Sequence, residues 1–223
     1  MNTIRKQFHH YRFEILFFSF MFLMFYSLII PGISFSLILL LNVIAGINMF
    51  PLKRKKLVIP LSIAGASLIT AIMGALTRGT GIVTMGFAMF VIFFILLAFE
   101  VFSQIRRSPK VNTGIIYGLF CGLIILGIMG ALIFTIIEFI YPNSFSNINP
   151  ELATINQLVY FSFITILTIG FGDIIPLTPL AQKSTMLFGL IGHFYTVVVI
   201  ALVIGKYLAN SMTNNQNKMN ANE

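Results

Sequence analysis

The chain of 223 residues contains no tryptophan, one cysteine, six acidic residues and only 9% charged residues of any kind. An ordinary soluble domain is about one-quarter charged, so a soluble globular protein is excluded. A lone Cys121 leaves no intramolecular disulfide and no cysteine-based metal site; it lies inside an apolar run, where packing is its expected role. No His/Asp/Ser grouping or metal-ligand spacing is present, so no enzymatic activity is expected. What fills the chain instead is apolar: 58% of residues are hydrophobic and 24 are Phe, with a mean hydropathy of +0.97. That composition excludes a disordered chain, and it excludes a nucleic-acid binder despite a formal charge of +8. A basic excess on so apolar a chain calls for a membrane explanation.

Apolar runs bounded by charge, Pro or Gly predict membrane spans at 13–30, 33–50, 57–76, 81–102, 113–140 and 185–209. The first run is too long for a signal peptide and shows no small-residue cleavage site, so it is read as a retained span. Between the fifth and sixth spans, 141–184 is polar and Pro-containing, with one apolar run near 155–167 that is too short to cross. A re-entrant helix is its natural form. The expected fold is therefore an all-α integral membrane protein: six transmembrane helices with a re-entrant helix and loop between helices five and six. Four parts follow, a segment 1–12, a four-span region 13–106, a unit 113–209 and a tail 210–223.

Orientation comes from the cations. Arg5, Lys6 and Arg12 precede span one; Lys53, Arg54, Lys55 and Lys56 join spans two and three; Arg106, Arg107 and Lys110 join spans four and five; Lys206 and Lys218 lie at or after the end of span six. In a six-span layout all of these share one side, and only Arg78 and Lys183 fall on the other. Both termini are thus expected in the cytoplasm of a multi-pass cell-membrane protein. The charge is mainly a topology signal, with anionic lipid at Lys53, Arg54, Lys55 and Lys56 as a second reading.

The re-entrant stretch begins with Thr154-Ile155-Asn156-Gln157, which fits a capping box, and predicts a helix over about 155–167. Its C-terminal end, carrying partial negative charge, would aim at the loop that follows and favour a cation there. That loop reads Thr168-Ile169-Gly170-Phe171-Gly172-Asp173. Glycines at 170 and 172 admit left-handed backbone, so successive carbonyls can face one direction.

This run, placed after a short helix and between the last two spans, resembles the signature sequence of the potassium-channel superfamily. The resemblance implies potassium ions held by the carbonyls of Thr168, Ile169, Gly170 and Phe171, with the Thr168 hydroxyl closing the innermost site and Gly172 completing the filter. It places the Ile169 and Phe171 side chains away from the pore. Filter support is implied for Thr165, which matches a family Thr, and for Tyr160 and Asp173. Tyr160 and Phe161 stand where many relatives carry a Trp pair, Ile164 stands where some carry Glu, and Tyr160 is placed to offer its hydroxyl to Asp173. A closed ring needs four loops and the chain has one, so a homotetramer is implied. Potassium is the permeant ion, and no organic cofactor is expected.

Span six contains Gly189, Gly192 and Gly205. Gly192 and Gly205 are gating candidates, and Gly192 stands where the resembled channels bend; close packing is the alternative for a small residue in a membrane helix. His193 beside it is a gating candidate as a lone intramembrane titratable group, against a neutral, hydrogen-bonded core histidine. Gly81 to Phe102 contains no basic residue, so voltage sensing by a charged fourth span is excluded. Glu14 and Glu100 are read as interfacial anchors, and Glu138 either as a carboxylate that lies behind the filter or attracts cations, or as a plain outer-interface carboxylate. The tail from Ser211, rich in Asn and Gln, is expected to be disordered and too short for a soluble regulatory domain. The function these residues imply is passive, potassium-selective conduction. A weakly selective cation channel is one alternative; a secondary transporter or accessory membrane subunit is another, disfavoured by the absence of internal repeats and midplane charges.

Overall fold

The computed structural model describes residues 11–30, 35–50, 54–77, 80–108, 113–149 and 152–220, and among these it is all-helical. Seven helices follow in order: α1 (Arg12–Ile29), α2 (Phe35–Ile47), α3 (Arg54–Thr77), α4 (Thr80–Arg107), α5 (Thr113–Ile140), α6 (Thr154–Ile166) and α7 (Pro179–Asn220). Among the described residues, two stretches, Gly81–Arg107 in α4 and Thr113–Ile140 in α5, are long and apolar enough to cross a membrane.

The helices stand on the apolar runs, with α5 matching its predicted bounds. Two ends differ. The second run, expected over 33–50, is helical only to Ile47 and then turns: the Asn48, Met49 and Phe50 amides donate to the Ala45, Gly46 and Ile47 carbonyls at 3.2, 3.0 and 3.2 Å. Pro51 explains the stop, since the residue before a proline avoids helical backbone. α7 is longer than its expected span in both directions. It starts at Pro179, a favoured first helical residue, with the Thr178 hydroxyl accepting from the Ala181 amide at 3.4 Å. It also continues through 210–220, where composition predicts disorder. No Pro or Gly follows Gly205, and extending an existing helix lacks the cost of starting one.

α5 is the hub, packing against α1, α4, α6 and α7. Its buried stripe includes Cys121, Ile125, Ile128, Leu132 and Phe134, so Cys121 is a packing residue. Small residues let neighbours approach: a Cβ on Gly118 would lie 2.9 Å from the Phe13 ring of α1. The main core joins Cys121, Ile125, Ile128 and Leu132 of this stripe to Leu16 and Phe20 of α1 and to Phe90, Phe93, Phe94 and Leu97 of α4. Buried Asn42 is satisfied by the Ser19 hydroxyl at 2.8 Å and by its own donation to the Ile38 carbonyl at 3.0 Å, which ties α2 to α1. α1 therefore lies beside α5 and α6 of its own chain, and its Tyr26 hydroxyl reaches Asn156 Oδ1 of α6 at 3.1 Å.

Candidate functional site

α6 is seated in α5 by missing side chains. The Ser162 hydroxyl, fully buried, donates to the Gly127 carbonyl at 2.7 Å. A Cβ on Gly127 would meet the Phe163 ring, and one on Gly130 would fall on Ser162 Oγ. Phe134, Phe145, Phe161 and Phe188 close the junction, with ring centroids 5.3 to 5.6 Å apart.

The end of α6 sets the loop. Leu167 caps the helix; the Thr168 amide then donates to the Thr165 carbonyl at 3.1 Å and the Ile169 amide to the Ile164 carbonyl at 2.8 Å. These two bonds make a Schellman termination, whose residue after the cap is left-handed and usually glycine. Here it is Thr168, at φ 58°. The Gly170 amide also turns back, to the Ile164 carbonyl at 3.2 Å. Gly170 and Gly172 are left-handed at φ 58° and 78°, whereas Ile169 and Phe171 are not. Handedness thus alternates along 168–172, the first three amides are engaged behind the loop, and the carbonyls of Thr168 through Gly172 accept no hydrogen bond among the described residues. Ile169 and Phe171 are 50% and 71% exposed in the single chain. An open groove of about 370 Å³ borders the loop, lined by Thr165, Thr168, Gly170, Gly172 and Thr185 among others.

The loop's exit is pinned to the segment after α5. Phe145 bridges Pro176 in antiparallel fashion, the Leu177 amide donates to the Ser144 carbonyl at 2.7 Å, and the Ser146 amide donates to the Ile175 carbonyl at 2.9 Å. Asn147 Nδ2 holds the Asp173 carbonyl at 2.7 Å. The Tyr160 hydroxyl donates to Asp173 Oδ2 at 2.7 Å, and this bond holds the Asp173 carboxyl below the usual carboxylate range.

The side chains of Thr154, Gln157 and Glu138 stand differently from the sequence expectation. Gln157 does not cap α6: its amide grips both the N–H and the C=O of Asn149, at 2.8 and 2.9 Å. The helix starts at Thr154 with Ala153 at the cap, which leaves Thr154 one residue too late to serve. Glu138 neither backs the loop nor stands free; its two oxygens accept from the Asn143 and Phe145 amides at 2.8 and 3.1 Å and fold the turn after α5. His193 is exposed in the single chain and makes no hydrogen bond among the described residues.

Thr165 bonds its own helix, at the Phe161 carbonyl at 2.8 Å, and its methyl faces Gly189 of α7. Gly192 is buried against the end of α6, where a Cβ would lie 2.6 Å from Ile166 Cγ2 and 3.0 Å from the Ile166 carbonyl oxygen. Gly205 has no atom near its Cβ direction. Lys53 lies outside the described residues; Arg54, Lys55 and Lys56 are described only as helical backbone. Sequence reasoning missed Ser144, Ser146, Asn147 and Thr178. Of these only Asn147 carried a signal, as a residue type that tolerates left-handed backbone; it sits at φ 58°.

No curated protein and no solved structure matches the chain. A family model described as an ion channel matches residues 122–209, running from mid-α5 through α6 and the alternating loop into α7, and an ion channel domain accordingly occupies this part of the molecule.

Proposed function

We propose that the chain is one subunit of a homotetrameric, potassium-selective channel that conducts passively. The observation that best supports this reading is the backbone of 168–172. Its handedness alternates, its first amides are engaged, and its carbonyls are unpartnered among the described residues. A dehydrating potassium ion needs several oxygens to replace its water shell. One loop offers them from one side; four around an axis enclose the ion. In that ring the carbonyls of Thr168, Ile169, Gly170 and Phe171 line the path, the Thr168 hydroxyl closes the inner site, and the exposed Ile169 and Phe171 side chains pack between subunits.

The membrane arrangement is six crossings, α1 to α5 and α7, with α6 re-entrant. α2 has 13 residues, about 20 Å at the helical rise, so it needs local thinning of the roughly 30 Å hydrocarbon core. The cation distribution supports a layout with both termini in the cytoplasm and the 141–184 stretch entering the membrane from outside. Opening is not driven by a charged fourth span, because α4 carries basic residues only in its last turn.

Purified protein in planar bilayers tests the reading. Unitary currents reversing near the potassium equilibrium potential in mixed potassium and sodium, and blocked by barium, are expected. A reversal midway between the two equilibrium potentials would replace selectivity with general cation conduction. Saturable flux without unitary steps would overturn the channel.

A further inference from the structure

A second cavity lies away from the loop, in the crevice where α4, α5 and α7 meet. Its volume is about 350 Å³, and Phe99, Phe102 and Ile105 of α4, Leu126 and Met129 of α5, and Tyr195 of α7 line it. That is within the roughly 300–1,000 Å³ of small-molecule sites. The crevice exists because residue 122 is glycine: a Cβ there would meet the Tyr195 hydroxyl, which instead donates to the Leu119 carbonyl at 2.6 Å. Among the described residues the lining holds a single side-chain hydroxyl, which is thereby engaged, and no other polar side chain to bind a polar ligand. The rim is open, with Phe99 72% exposed.

Arg106 and Arg107 sit in the last turn of α4. Spacings of three and four place Phe99, Phe102 and Arg106 on one helix face, so a cation stands one turn beyond the apolar lining. Both arginines are exposed, and neither has an ion pair or hydrogen bond among the described residues. The nearest acid on α4, Glu100, is held elsewhere: its Oε1 accepts from Gln104 Nε2 at 2.7 Å, and that nitrogen also reaches the Met49 carbonyl.

From this apolar slot ending in two guanidinium groups that are unpaired among the described residues, we infer that the crevice is a binding site for an anionic phospholipid, one acyl chain along α4 and the headgroup at Arg106 and Arg107. Neither the apolar lining nor the cations alone would select such a ligand. Together they match its two ends.

The absence of tryptophan makes the test direct. Phe99→Trp places a single indole at the rim, and Ile69→Trp places one on the exposed face of α3 as control. Each protein is reconstituted in vesicles of phosphatidylcholine and phosphatidylglycerol, with one or the other lipid brominated. In the Phe99→Trp protein, phosphatidylglycerol should out-compete phosphatidylcholine as quencher about five-fold or more, the preference one cation at an anionic surface supplies. It should fall to parity when Arg106→Gln and Arg107→Gln are added, and it should be absent from the Ile69→Trp control. Four outcomes would each overturn the site: equal quenching of the rim indole by both lipids, a preference that survives loss of both arginines, the same preference in the α3 control, or no quenching at the rim because a second copy covers the crevice. The readout is fluorescence and not current, so its failure is distinct from failure of the conduction reading.

Discussion

Replacing Gly172 with alanine isolates one physical quantity. A Cβ at this position meets no atom of the described residues within 4 Å, so the change carries no packing cost against them in the single chain. What it carries is conformational, because φ is 78° and an L-residue pays about 1–2 kcal/mol in the left-handed region. In the proposed tetramer four loops must adopt it together, about 4–8 kcal/mol in all. At 1.36 kcal/mol per decade, the weight of the conducting arrangement against one with residue 172 at negative φ falls on the order of a thousand-fold even at the lower bound.

The assay is potassium efflux from proteoliposomes, with the amount of folded tetramer measured separately. Gly172→Ala should fold and assemble yet pass less than about a tenth of the wild-type flux. The decisive comparison is the same methyl with opposite chirality. D-alanine introduced at 172 by semisynthesis favours positive φ and should keep flux within about two-fold of wild type. Wild-type flux from the L-alanine protein would refute the reasoning. So would equal loss with both enantiomers, since handedness would then not be what matters.

The cost at Gly192 is steric. Gly192→Ala puts a Cβ 2.6 Å from Ile166 Cγ2 and should destabilise the α6–α7 contact by about 1–3 kcal/mol, read as a lower unfolding midpoint. Ile166→Ala in the same chain should return part of that loss, and strict additivity would count against the contact. Ser162→Ala removes a buried hydroxyl bond to Gly127 and should cost about 1 kcal/mol. Gly130→Ala, whose Cβ falls on Ser162 Oγ, should cost less in the Ser162→Ala background than alone. Tyr160→Phe removes the donor that lowers the Asp173 pKa. With the folded-state pKa depressed, the stabilisation from this pair is present above the ordinary carboxylate range and lost as pH falls through the folded value. The variant should therefore protonate Asp173 at higher pH, seen as an upward shift in its carboxyl carbon titration by NMR and in any acid block from the outer side; an unchanged titration would separate the two residues.

The parts of this molecule legible from sequence are those with long-range periodicity or special backbone demands. α5 can be bounded to the residue because its 28 positions carry a single charge, Glu138, in the last turn. The loop is readable because Gly170 and Gly172 need left-handed backbone, and the Tyr160–Asp173 pair because its partners flank a recognisable motif. The 141–149 segment is not readable. Its structure rests on bonds from the Glu138, Asn147 and Gln157 side chains to backbone groups up to 26 residues away, and such bonds leave no periodic trace. Gln157 shows the difficulty: its spacing from Thr154 suits a cap, but the helix begins one residue earlier than the box requires, so the side chain turns to Asn149 instead. The end of α7 escapes a reading that equates polarity with disorder, because polarity alone does not stop a helix.

Thr168 joins the fold to the proposed chemistry. A glycine would satisfy the Schellman position without strain, and threonine there bears about 1–2 kcal/mol. The two amide bonds that close the motif, each worth about 1 kcal/mol net, are of the right size to offset it, and they depend on the Ile164 and Thr165 carbonyls staying in place. What threonine adds over glycine is a hydroxyl at the first residue of the carbonyl row, where the proposed inner ion site needs an oxygen. The geometry of that site is therefore inherited from the end of α6, and the seat of α6 is inherited from Ser162, Gly127 and Gly130. Substitutions at this seat, on the side of α6 that faces α5, should consequently alter ion selectivity as well as stability. A stability loss there with unchanged reversal potential would show that the loop holds its own shape without the helix.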